Sequence, residues 1–174
     1  MKKLTCMGLS LALMAGLLAG DRSALREVYE AYAGLVYALA LSVTGRREDA
    51  EDVTSEVFLR LCDKAGSYRP GGPHKAWLMT VTRHLAVDWI RLRERSFPES
   101  VGEPPAAEST EETVCRRLYV RSVLEPLRPE ERQVVLLHVM ADMTLAAVSR
   151  LLDKPLGTVA WLYRSAMKKL RNTV

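Results

Sequence analysis

Two groups of side chains set close together in this 174-residue chain are suited to binding opposite charges. Glu48, Asp49, Glu51, Asp52 and Glu56 follow one another with no Lys or Arg between them. At spacings of three and four, Asp49, Asp52 and Glu56 are expected on one outward helical face, with Ala50, Val53, Val57 and Leu61 turned inward. Such a row of carboxylates suits a basic partner surface. Residues 69–95 then carry Arg69, Lys75, Arg83, Arg91, Arg93 and Arg95 against Asp88 and Glu94, a balance that suits a phosphate backbone. One short segment thus offers a face to a basic protein and a face to nucleic acid.

The remaining charge is uneven as well. The net charge is +4, but from residue 114 onward 11 Lys and Arg stand against 5 Asp and Glu, while residues 96–113 hold five Glu and no base. A positive excess in the last third fits a second nucleic-acid contact. No catalytic constellation accompanies these surfaces. There is no nucleophile paired with a base and no glycine-rich phosphate loop, and Cys6, Cys62, Cys115, His74, His84 and His138 show neither a CxxC pair nor metal-ligand spacing. The chain is therefore expected to bind rather than catalyse, with no cofactor, metal or small-molecule substrate. Unpaired thiols that pack as small hydrophobes fit a reducing cytoplasm.

The elements that must position these residues read as helices throughout. Residues 24–43 place Leu25, Val28, Tyr29, Tyr32, Leu35, Val36 and Leu39 at helical spacing, between an Asp21 cap and the turn Thr44-Gly45. Residues 48–64 form the acidic helix. The loop over 66–74 is dense in Gly and Pro. From Lys75 to about Arg95 a long helix resumes, with Leu78, Val81, Leu85, Trp89 and Leu92 as its apolar stripe. The first twenty residues, two lysines and then an apolar run, have the outline of a secretory signal. Leucines stand where a cleavage site needs small residues, so a first packing helix closed by Gly20 is the preferred reading.

Residues 96–113, with Pro98, Gly102, Pro104 and Pro105 among the glutamates, read as a flexible acidic linker between two folding units. Past it, residues 114–124 are expected to be helical, and Pro129 opens a helix with Glu130 and Glu131 at its positive end, continuing through 132–139. Over 144–171, Thr144 caps a short helix, Asp153-Lys154-Pro155 breaks it, and Gly157-Thr158 opens a second one ending in Lys168, Lys169 and Arg171. Two short helices joined tightly, the second basic, have the form of a helix-turn-helix. The expected fold is all-α: a domain over 1–95, the linker, and a second domain over 114–174.

Five ordered segments carry a family resemblance: AGDRSALREVYEAYAGLVYALAL, GRREDAEDVTSEVFLRL, HKAWLMTVTRHLAVDWIR, LRPEERQVVLL and KPLGTVAWLYRSAMKKLR. Together they resemble a bacterial RNA polymerase sigma factor of the extracytoplasmic-function group of the sigma-70 family, over almost the whole chain. The resemblance implies a promoter-recognition subunit that binds core RNA polymerase, directs it to promoter DNA, assists melting and is then released. It further implies a cytoplasmic protein restrained by an anti-sigma factor, which in this family can hold it at the inner membrane.

By that resemblance Asp49, Asp52, Glu56 and Phe58 lie where the family grips the polymerase clamp helices. Tyr68, Arg69, Lys75, Trp77, Arg83, His84 and Arg91 lie where it opens and holds the minus-ten element, a task that needs positive charge beside aromatic or polar pockets. Lys154, Thr158, Trp161, Arg164 and Lys168 are the candidates for the minus-thirty-five element. Departures from the family pattern are Ser55 for a usual Gln and His84 for a common Asn. In the recognition helix, Ala160, Trp161 and Leu162 stand where Lys, Ser and Arg are frequent, and Ser165 replaces another Arg. Fewer phosphate contacts predict weaker binding and a shallower salt dependence. Two other readings of the residues stay open here: a helix-turn-helix regulator acting without polymerase, and an exported helical protein that uses residues 1–20 as a signal.

Overall fold

The computed structural model describes residues 16, 19–64, 74–96 and 124–172, and every regular element within them is helical. The first group contains α1 (Arg22–Thr44), α2 (Arg47–Lys64) and α3 (His74–Ser96). Asp21 caps α1 by accepting the Ser23 N–H at 2.8 Å, one of the donors a helix start leaves orphaned. Gly45 ends it at φ 72°, a left-handed position where a side chain would be strained, and its N–H closes on the Leu41 carbonyl. Val28, Val36 and Leu39 of α1 meet Ala50, Val53, Val57 and Leu61 of α2 and Leu78, Met79, Leu85 and Ala86 of α3 in a shared core.

The apolar stripe of α3 differs from expectation at its end. Leu92 is 62% exposed, and Arg93 turns toward α2 instead, where its guanidinium meets the Asp49 carboxylate. The C-terminal turn of α3 therefore closes on a partly buried ion pair rather than on a leucine. Thr54 and Thr82 are also buried, each hydroxyl donating to the carbonyl four residues earlier, so these two polar side chains sit inside the bundle with their donors satisfied.

The second group contains α4 (Pro129–Val135), a π-helical continuation over Leu136–Met140, α5 (Leu145–Leu152) and α6 (Leu156–Arg171). Pro129 occupies the first helical position as expected, with Glu130 and Glu131 in the first turn. The continuation of this helix is π rather than α: the Ala141 N–H reaches back to the Leu136 carbonyl at 3.0 Å. Thr144 caps α5 by accepting from the Ala147 N–H. Asp153, at φ 53°, ends it, and Ser149 straps the turn by donating to the Lys154 carbonyl at 2.6 Å. Val148, Leu152, Val159, Leu162 and Ala166 form the inner seam of this helix-turn-helix.

The two groups touch. Gln133 of α4 donates its amide N–H to the Ser42 carbonyl near the end of α1 at 3.1 Å, and Lys75 at the start of α3 pairs with Asp142 at 2.7 Å. The packing helix expected before Gly20, the loop over 66–73, the linker over 97–113 and the helix over 114–123 lie outside the described residues. Ser96, placed at the start of the linker by sequence, is the last residue of α3. Among the described residues no helix is long and apolar enough to cross a membrane.

Candidate protein and nucleic-acid interfaces

On α2 the carboxylates divide between two roles. Asp52 is exposed, and the Glu56 side chain, about one third exposed, is paired with Arg60 one turn along. Asp49 does not face outward with them: it is 7% exposed, accepts the indole N–H of Trp89 at 3.2 Å and meets Arg93. Its place on the wheel borders the buried face, and the end of α3 closes over it. Phe58 is buried as well, at 6%, with its ring 4.8 Å from that of Tyr29. The apolar residue that α2 does present is Leu59, 67% exposed. Asp52, Glu56 and Leu59 share about 60° of helical arc, with Leu59 at one edge, Asp52 next to it and Glu56 at the other, giving a surface acidic over most of its width and apolar along one edge.

The cations of α3 are not uniformly open. His84 and Arg91 are exposed, and Arg91 lies 3.7 Å from Asp88. Arg83 is partly covered, with its Nε buried and without a hydrogen-bond partner. Burial lowers its pKa most, the like charge of Arg91 adds to that, and the negative charge of Asp153 opposes both. The Lys75 side chain is only 11% exposed where it meets Asp142. Trp77 packs partly buried against the core. Tyr68 and Arg69 lie outside the described residues. Thus Arg83 lies within electrostatic reach of both Arg91 and Asp153, whereas Lys75 is paired directly with Asp142 of the second group. Those two acids, Asp142 and Asp153, are the non-glycine residues with left-handed backbone among the described residues.

In the helix-turn-helix, Thr158, Trp161, Arg164 and Lys168 are all exposed. Positions i, i+3, i+6 and i+10 span about 120° of arc, so α6 brings four of the five candidates onto one outward face. Lys154, in the turn, is tied to Glu130 at 2.7 Å. Trp161 is 52% exposed, so it belongs to the outer face rather than the core. Leu162, 1% exposed, is a seam residue that could not have contacted a ligand.

The central buried group is one that the sequence reading assigned only to a helix end. Glu131 is 0% exposed. It accepts from the Arg128 backbone N–H at 2.9 Å, Arg128 Nη2 at 3.1 Å, Ser165 Oγ at 2.8 Å and Lys169 Nζ at 2.7 Å. Burial pushes its pKa up, but the bonds from Lys169, Arg128 and Ser165 outweigh that and leave it lowered to about 2. The Arg128 guanidinium, fixed at one edge by Glu131, also lies over the Trp161 ring at 5.3 Å. Sequence reading passed over Arg128. The available signal was a base just before a Pro-acid helix start.

Residues 28–96 match the family model for Sigma-70 region 2, and residues 123–172 match that for Sigma-70 region 4. The chain is 30% identical over 164 residues to an ECF RNA polymerase sigma factor, SigE, of Mycolicibacterium smegmatis, covering 88% of this chain and 63% of that protein. It is 27% identical over 170 residues to the ECF RNA polymerase sigma factor SigK of Mycobacterium tuberculosis, covering 92% and 91%. It therefore spans a little over three fifths of SigE's length and nearly all of SigK's. Among solved structures it resembles the sigma factor RpoE in complex with the anti-sigma factor NepR from Bartonella quintana, with TM-score 0.56 and 21% identity over 84% of this chain and 94% of that one. It also resembles CnrH in complex with the cytosolic domain of CnrY, with TM-score 0.55 and 19% identity over 93% and 94%. These two likenesses speak to the fold. With both regions matched in order on the helices that carry the acidic face and the helix-turn-helix, the chain belongs to the sigma-70 family of RNA polymerase sigma factors.

Proposed function

We propose that this protein binds core RNA polymerase and directs it to specific promoters. The observation that carries the reading is the occurrence of regions 2 and 4 in order on one chain, the first bearing an outward acidic and apolar face and the second an outward helix-turn-helix face. Asp52, Glu56 and Leu59 form the polymerase-binding face, and Asp49 acts from inside by holding α2 against α3. Arg83, His84 and Arg91, with Lys75, Tyr68, Arg69 and Trp77, serve the opened minus-ten strand. Thr158, Trp161, Arg164 and Lys168 face the minus-thirty-five duplex, and Lys154 steadies the turn. No reaction is assigned to this chain, because bond formation belongs to the polymerase. The relatives solved with anti-sigma proteins support an inhibitory protein as a further partner, and a cytoplasmic setting follows from the polymerase.

The test is transcription reconstituted from core enzyme and the purified chain. The wild-type protein captures core and initiates from its own promoter, and Asp52→Lys with Glu56→Lys abolishes capture while the melting temperature stays in place. Failure of the wild-type chain to associate with core, with DNA binding retained, would favour a regulator acting without polymerase.

A further inference from the structure

The outward face of α6 carries an indole where a charged or small polar side chain would make the simpler DNA contact. Trp161 stands at its centre, 52% exposed, flanked by Thr158, Arg164 and Lys168. Its one described ring contact with a charge is Arg128, 5.3 Å from the ring centroid. Arg128 is itself held in two ways, by its backbone N–H and by Nη2, both on Glu131. Its side chain remains 54% exposed, so guanidinium donors beyond the one given to Glu131 reach solvent. Because Ser165 and Lys169 of α6 bond the same carboxylate, the rotation of α6 about its axis and the position of Arg128 are fixed together.

We propose that Trp161 and Arg128 form one composite reader of the minus-thirty-five duplex, in which the indole recognises a thymine by its 5-methyl group and the guanidinium binds the neighbouring phosphate. In the major groove that methyl is the apolar mark distinguishing thymine, and apolar side chains read it by contact. An indole edge on a groove-facing helix supplies such a contact, whereas on a guanine edge its single N–H donor would meet only one of the two acceptors, N7 and O6. The guanidinium stacked beside it contributes sequence-independent affinity. The sequence of α6 contains no acid, and the residues around the indole are basic or neutral, so duplex DNA fits this face better than a basic protein does. Glu131 is a positioning residue: buried away from the groove, it sets where Arg128 and α6 stand. This inference rests on the promoter-binding role proposed above and assigns the base that this face selects.

The experiment is selection of minus-thirty-five sequences from a randomised promoter library by the full chain with core polymerase, followed by binding to the selected site with single thymines replaced by deoxyuridine, which lacks the methyl. Wild type selects thymine at one position facing Trp161, and deoxyuridine there weakens binding about fourfold, the value of one buried methyl-sized group. Trp161→Ala selects the other positions unchanged but loses this thymine, and its affinity is the same for thymine and deoxyuridine. Arg128→Ala lowers affinity for all sequences alike and reduces the salt slope by about one. Trp161→Phe, which keeps an aromatic edge, retains part of the preference, and circular dichroism establishes that each variant is folded. If wild type shows no deoxyuridine effect, or if Trp161→Ala keeps the thymine, the inference is overturned and the indole is a protein contact. Capture of core enzyme is scored separately: normal capture with no methyl dependence overturns this inference alone, and absent capture overturns the proposed function with it.

Discussion

Replacing Glu131 with Gln keeps the shape of a fully buried side chain while removing the charge that four donors converge on. The folded-state pKa of about 2 lies below the ordinary 4.5. At about 1.4 kcal/mol per unit, that difference is worth about 3 kcal/mol of folding free energy at neutral pH. Gln offers one carbonyl to the four donors and turns an NH2 toward the rest. Arg128 and Lys169 are partly exposed and regain water, so the loss stays near that figure. At roughly 4 °C or more per kcal/mol for a domain of this size, the second unit should melt at least about 12 °C lower. The sign with pH is fixed by the direction of the shift. A depressed carboxylate pKa gives stability that is complete above the unfolded value near 4.5 and is lost as pH falls toward 2. The gap between wild type and Glu131→Gln should therefore shrink by about 2 kcal/mol between pH 6 and pH 3. Urea unfolding followed by circular dichroism at several pH values measures both quantities. A variant within about 1 kcal/mol of wild type at neutral pH, or a gap that does not narrow in acid, would refute the assignment of Glu131 as the anchor of this unit.

Asp49→Ala should destabilise the first unit by about 3 kcal/mol, since it strands Arg93 and the Trp89 indole N–H, whereas Asp52→Ala should stay within about 0.5 kcal/mol; denaturant midpoints separate the two. Gly45→Ala meets no atom within 4 Å but forces a side chain to φ 72°, so it should cost on the order of 1 kcal/mol and lower the melting temperature without altering affinity for core enzyme. Asp142→Ala takes the 2.7 Å carboxylate partner from the largely buried Lys75 ammonium and should therefore cost more than the roughly 1 kcal/mol of an exposed pair, read as a lowered denaturant midpoint.

The helices were legible because their ends are written in a few residues: Asp21, Gly45, Pro129, Thr144 and Asp153 each occupy the capping or breaking position the pattern assigned them. The helix-turn-helix face was legible for the same reason, since the break at 153–155 sets the phase of α6. Asp49 was misplaced because a helical wheel shows which residues share a face but not which border residue a neighbour will cover, and its partners Trp89 and Arg93 lie 40 and 44 positions away. Leu92 was placed inside by the same ambiguity, whereas Phe58 was named as a contact only through the family resemblance and is buried. Over five residues, Leu136–Met140 carry no periodicity that distinguishes a π-turn from an α-turn. The contacts of Lys75 and Gln133 between the two helical groups have no local signature, because each depends on a surface that exists only after both groups have folded.

The anchoring of Glu131 also sets an order in time. During synthesis this carboxylate is made 34 residues before Ser165 and 38 before Lys169. At about 5–20 residues per second the ribosome takes about 2–8 s to supply the second of them. Until then only Arg128 is at hand, and enclosing the carboxylate in the apolar seam would cost several kcal/mol. The first unit has a wait of its own, since the Asp49 carboxylate is made 44 residues before Arg93, but Arg93 is in place along the chain before Glu131 is made. The nascent chain therefore completes its first helical unit while the helix-turn-helix is still open, and the arrival of Lys169 is the step that lets the latter close.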